Sequence, residues 1–121
     1  MKLELSIVVL AVVVIASCGK MKFNKAKWDE GYEIGFPPPS RNKMLSDLVE
    51  NHKLVGAKYD EVINLLGQPN THDSMSFSYD ITIDYFGIDP VYVKCLEFVI
   101  SKDSVVTAFQ VKEWKKGQYE K

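Results

Sequence analysis

Two cysteines and two histidines in 121 residues leave little room for metal or thiol chemistry. A structural zinc site takes four Cys or His ligands at close spacing, and His52 and His72 stand far apart with no Cys/His cluster around either. The chain has no glycine-rich phosphate loop, zinc motif or strand–nucleophile–helix elbow. A formal net charge of −1, with acids and bases interspersed, gives none of the basic stripe that binding to nucleic-acid phosphates requires. No apolar run approaches the roughly 20 residues needed to cross a bilayer as a helix. The sequence therefore reads as a non-enzyme without catalytic residues, cofactor or metal, and without a nucleic-acid partner.

What is present begins at the N-terminus. Lys2 precedes an apolar run from Leu5 to Ala16, small residues follow, and the run stops at Cys18, which is how a signal peptide is built. Ile15, Ala16, Ser17 and Cys18 resemble the lipobox of a bacterial lipoprotein signal. That resemblance implies removal of residues 1–17 and acylation of the Cys18 thiol and of the new N-terminus, with palmitate-like chains holding the protein on a membrane. One acyl chain anchors only marginally and two signals anchor stably, a threshold that a triacylated Cys18 exceeds. Gly19 replaces the aspartate that keeps many such lipoproteins in the inner membrane, so by the same analogy the chain belongs to the outer membrane, facing the periplasm. Cys95 is then the last thiol and no internal disulfide can form. Its alternating neighbours Val91, Val93 and Val99 predict a half-buried strand position.

From residue 18 to 39 the chain is polar and broken by Gly31, Gly35 and Pro37-Pro38-Pro39. This reads as a lipid-anchored tether holding the folded part away from the bilayer, with Trp28 as a residue that could dock. Ser40 suits a helix N-cap, and Met44, Leu45, Leu48 and Val49 recur at helical spacing, predicting a helix over 41–51. A second helix is predicted over 59–66, presenting Val62, Leu65 and Leu66, and stopped by Gly67 in a left-handed turn ahead of Pro69.

Beyond a polar loop, Met75, Phe77, Tyr79, Ile81, Ile83 and Tyr85 take every second position, the signature of a strand. Gly87-Ile88-Asp89-Pro90 and Lys102-Asp103-Ser104 turn the chain into strands over 91–100 and 105–114, and residues 115–121 read as a solvated tail. The expected fold is α+β in two layers over residues 40–114, a helical hairpin packed on a three-stranded antiparallel meander, ααβββ. By parity the helices cover Leu96, Phe98, Ile100, Val105, Phe109 and Val111, leaving Val91, Val93, Val99, Val106 and Trp114 on the open side as a candidate partner surface.

The segment Leu54-Val55-Gly56, then Val62, then Leu66-Gly67-Gln68-Pro69, resembles the motif of the SmpA/OmlA (BamE-like) family of small outer-membrane lipoproteins. Leu96, Phe98, Asp103 and Val105 fit the later strand–turn–strand pattern of that family. The likeness spans about residues 54–111, and its motif residues Gly56, Val62, Leu66, Gly67 and Pro69 are structural. It departs at Lys58, where the family places a hydroxyl residue. It implies two helices followed by three strands, and a protein partner in the cell envelope during outer-membrane protein assembly or maintenance. The same unit, doubled, builds β-lactamase inhibitor proteins, so inhibition of a periplasmic hydrolase is the alternative by fold analogy.

His72-Asp73-Ser74 has the residue types of a hydrolase triad, but loop neighbours cannot face one another as a triad must, and turn residues are the reading they support. Asp80 and Asp84 share the polar parity of the first strand, as paired carboxylates or as an ordinary soluble face. The first expected outcome concerns the anchor. The intact mass of detergent-extracted protein should correspond to a chain beginning at an acylated Cys18, and a water-soluble product retaining Met1 would exclude the lipoprotein reading.

Overall fold

The computed structural model describes residues 20–117, so the signal peptide and the lipobox residues Ile15, Ala16, Ser17 and Cys18 lie outside the described residues. Its elements, in chain order, are α1 (Lys25–Trp28), α2 (Pro39–Asn51), α3 (Tyr59–Leu66), β1 (Thr71–His72), β2 (Ser76–Phe86), β3 (Asp89–Ile100) and β4 (Val106–Lys115).

The expected helical hairpin on a three-stranded meander is not what forms. The sheet is antiparallel with four strands in the order β1-β2-β3-β4, and three short helices accompany it. The two-residue β1, which pairs Thr71 with Ser78 and His72 with Phe77, is too short to carry any periodicity. The short helix α1 packs against both α2 and α3, so the longer helices meet chiefly through it and do not close on each other as a hairpin.

The segment expected to be a tether is folded from Met21 onward. The Met21 N–H donates to the Lys43 carbonyl (3.0 Å), and Phe23 N–H donates to Asp47 Oδ2 (2.7 Å). Asn24 caps α1, its Oδ1 accepting from Lys27 N–H, and this swings Trp28 into the core with no exposed surface. Helix α2 starts at Pro39, where a missing N–H costs nothing. Ser40 does not cap it, and instead donates to the Lys27 carbonyl (2.6 Å). In α3, Glu61 accepts from the Lys58 N–H (3.0 Å) and so supplies the cap that the lysine at that position cannot.

Strand parity holds through the middle of the sheet, where Phe77, Tyr79, Leu96 and Phe98 stack against the helices. It breaks at its bulges. The β2–β3 register shifts between Asp80 and Thr82, so Thr82 faces Lys94 and Ile83 faces Val93, turning Ile83 to the side away from the helices. The β2–β3 register shifts again between Asp84 and Tyr85, and in the β3–β4 pair an irregularity between Val99 and Ile100 brings Val106 opposite Ile100. Val106, expected on the open side, is therefore a core residue only 1% exposed.

The motif glycines are structural. Gly56, at φ 91°, aims its N–H at the Val106 carbonyl (2.8 Å) and joins the loop before α3 to the start of β4. Gly67 ends α3 at φ 81°, ψ −168°, which is the extended positive-φ region open essentially to glycine alone and differs from the left-handed helical turn expected. A Cβ on Gly67 would stand 2.6 Å from Asp29 Oδ2. The Gly67→Val variant is expected to lose on the order of 2 kcal/mol in a denaturant melt, from a strained backbone together with displacement of Asp29; an unchanged midpoint would contradict this account of the helix end.

Candidate functional site

Three pieces of chain converge on the side chain of Arg41, in the first turn of α2 and only 2% exposed. Its Nε donates to the Trp28 carbonyl (2.9 Å), Nη1 to the Asp80 carbonyl (2.8 Å) and to Asn70 Oδ1 (3.3 Å), and Nη2 to Asp29 Oδ1 (2.6 Å). The guanidinium lies 5.0 Å from the Trp28 ring centre and 5.2 Å from that of Tyr32. Asn70 completes the arrangement, accepting from the Asp80 N–H at 2.8 Å and donating to the Tyr32 hydroxyl.

This cluster stands where β1 ends. Past Ser78, whose carbonyl accepts from Asn70 N–H, no strand among the described residues lies along that edge of β2, the other being paired with β3. The side chains of Asn70 and Arg41 take over, saturating the N–H and C=O of Asp80 as a neighbouring strand would. Beside them opens a cleft of about 550 Å³ lined by Asp29, Tyr32, Ile34, Gln68, Pro69 and Asp80, among others. With four acceptors around it, Arg41 is a structural cation more than a receptor for an incoming anion.

The cleft continues toward one end of the molecule. Tyr85 donates from its hydroxyl to the Gly35 carbonyl (2.7 Å) and its ring centre lies 5.2 Å from that of Phe36. The 33–36 turn is thereby fastened to the β2–β3 hairpin, whose two-residue loop uses the positive φ of Gly87. At this end Ile34 is 91% exposed, Phe36 60%, Phe86 80% and Ile88 92%.

Of the residues expected to form a partner surface, Val91, Val93, Val99 and Trp114 share the side of the sheet away from the helices, each half-buried, and only Val106 departs from it. Val93 pairs with Trp114 beside Cys95 over a shallow hollow of about 260 Å³. Val99 pairs with Ala108 farther along the sheet, Val91 is half-buried near the hairpin, and Val106 is in the core. Burial pushes the Cys95 thiol up from its ordinary pKa, with the Asp80 carboxylate adding to the effect, so its thiolate is disfavoured.

Other residues weighed for chemistry are accounted for locally. Asp73 accepts from the Met75 and Ser76 N–H groups and opens the β1–β2 turn. His72 stacks on Tyr59, and His52 lies edge-on to Phe23. The bulge places Asp80 opposite Cys95 but Asp84 opposite Tyr92, on the other side of the sheet. Among the described residues no His/Cys/Asp/Glu group is arranged to hold a metal ion, and no helix is long and apolar enough to cross a membrane. Of the motif residues, Val62 and Leu66 are core and Pro69 lines the cleft. Sequence reasoning missed Arg41 and the exposed apolar end; the visible signal for the latter was Ile88, a large apolar residue inside a tight turn. No protein-family model, no curated protein and no solved structure matches the chain.

Burial holds the Asp80 carboxyl above the ordinary carboxylate range, with Arg41 offsetting part of the shift. Hydrogen bonds hold two others below it: from Phe23 N–H and Asn51 for Asp47, and from Met75 and Ser76 for Asp73. A raised carboxyl favours the folded state while protonated, so its contribution is full below the unfolded pKa and is lost as pH rises through the folded one. For the two depressed carboxyls stability is present above the unfolded pKa and lost as pH falls through the folded value. Carboxyl carbon NMR titration should find Asp80 titrating above Asp47 and Asp73. The Asp80→Asn variant should gain on the wild type as pH rises through the Asp80 midpoint, and parallel pH profiles would contradict this.

Proposed function

We propose that this is a lipid-anchored, non-enzymatic binding module of the bacterial cell envelope that contacts a protein partner, by its resemblance to the SmpA/OmlA family an accessory in outer-membrane protein assembly or maintenance. The lipobox at Cys18 supports the anchor, and the motif from Gly56 to Pro69 supports the family likeness. The observation that carries the binding role is the apolar end formed by Ile34, Phe36, Phe86 and Ile88, next to the cleft and to the uncovered edge of β2. Large apolar side chains exposed together at one end of a fold favour interaction sites, and an open strand edge offers backbone groups to an extended partner segment. This surface replaces the sheet-face set as the candidate contact. The inhibitor alternative rested on the ααβββ unit alone and loses its support with it; the SmpA/OmlA likeness implied the same unit and now rests on its motif residues only.

A photo-crosslinker at position 88, introduced in the native host, is expected to give a discrete adduct that the same group at position 112 does not give. The double variant Phe86→Ser, Ile88→Asp should weaken complexes recovered by crosslinking at other positions while its melting curve stays within about 0.5 kcal/mol of wild type, the usual range for surface changes. Undiminished complexes would sink the assignment of this end, and a soluble enzyme as the main adduct would restore the inhibitor reading.

A further inference from the structure

We propose that residues 20–27, together with the outward side of α2, lie directly on an anionic phospholipid surface. The inference goes beyond the protein contact proposed above and rests on the reading of Cys18 as lipidated. Its first support is the reach of the chain. Met21 is hydrogen-bonded to Lys43 in the middle of α2, and Phe23 to Asp47 one turn later, so the fold begins three residues after the acylated position. Three residues of extended chain span at most about 11 Å. An anchor at Cys18 therefore cannot hold the domain off the bilayer, and the part of the surface nearest the anchor is the part around Met21 and α2.

The second support is the charge of that surface. Lys20, Lys22, Lys25 and Lys27 are all exposed, with no acidic residue among residues 20–27, and Lys43 is exposed on α2 beside them. The acids opposite are Asp47 and Glu50, which border the same groove as Lys20 and Lys22. The Asp47 carboxylate already accepts from Phe23 N–H (2.7 Å) and Asn51 Nδ2 (2.7 Å), which leaves Glu50 as the exposed acid of that groove; past Lys27, Asp29 is paired with Arg41 and Glu30 is exposed. Basic segments next to a membrane anchor are attracted to anionic headgroups within a Debye length, and here the anchor holds them inside that distance. Lys112, across the sheet from Cys95, projects from the side opposite the helices and serves as an internal control.

The test uses the mature, acylated protein in vesicles of phosphatidylethanolamine with phosphatidylglycerol, in vesicles of phosphatidylcholine alone, and in micelles of an uncharged detergent. Lysine amines are acetylated and the rate at each position is read by mass spectrometry. Lys20, Lys22, Lys25 and Lys27 are expected to react roughly fivefold more slowly in the phosphatidylglycerol vesicles than in micelles, with most of that protection lost in phosphatidylcholine and Lys112 unchanged throughout. Equal rates in phosphatidylglycerol vesicles and micelles, with the acyl chains on Cys18 confirmed in the same spectra, would overturn the inference, as would protection indifferent to headgroup charge. A free Cys18 in those spectra would instead remove the lipoprotein reading on which the inference stands.

Discussion

A buried guanidinium ties together elements that are far apart in the chain and share few other contacts. Burying a cation costs several kcal/mol unless its donors are satisfied, and the acceptors of Arg41 come from the end of α1, the segment after α3 and the exposed edge of β2. The flanking rings of Trp28 and Tyr32 add an attraction that strengthens with desolvation. Each acceptor is also held in place by the others: Asn70 bonds β2 and Tyr32, and Asp29 leans against Gly67, where a larger residue would push it away. Arginine suits this position because its five N–H donors reach four acceptors while its flat face lies against two rings, whereas a lysine ammonium has three donors on a single nitrogen and no plane to stack.

The edges of the sheet are treated differently. The first residues of β4 are covered by the loop at Gly56 and Ala57, and the remainder carries Lys112, Glu113 and Lys115, charges that discourage another strand from pairing there. The β2 edge is closed only as far as Asp80, by side chains in place of a strand, and runs on toward Phe86 and the apolar end. One edge thus repels a partner, while the other stops short of doing so.

Much of this was legible in the sequence. Alternation located all three long strands to within a residue or two, because a half-buried strand must alternate, and Val62, Leu65 and Leu66 ahead of Gly67 located α3. Strand β1 and helix α1 were not legible, since two residues cannot show a period of two and four cannot show a period of 3.6. Bulges leave no compositional mark, which is why parity puts Val106 on the wrong side of the sheet. Arg41 looked like an ordinary helix-surface residue, and its burial follows only from tertiary partners as distant in sequence as Asp80. The same distance hid the folding of residues 20–38, whose prolines and glycines read as linker until Trp28 is seen in the core.

The docked N-terminal segment has a consequence for the order in which the chain matures. The carbonyl that Arg41 reaches on β2 lies 39 positions later in the chain, and the hydroxyl that fastens Gly35 lies 50 positions later. Contacts of such separation form late, because the loop must be closed before they return anything. On the export route proposed above, residues 20–28 can settle on α2 once it follows them, but Arg41 and the 33–36 turn lack their β2 partners until that strand has emerged. On the proposed reading of Cys18 as lipidated, an enzyme acylating it during that interval meets an open length of polypeptide, with the domain closing up behind it afterwards.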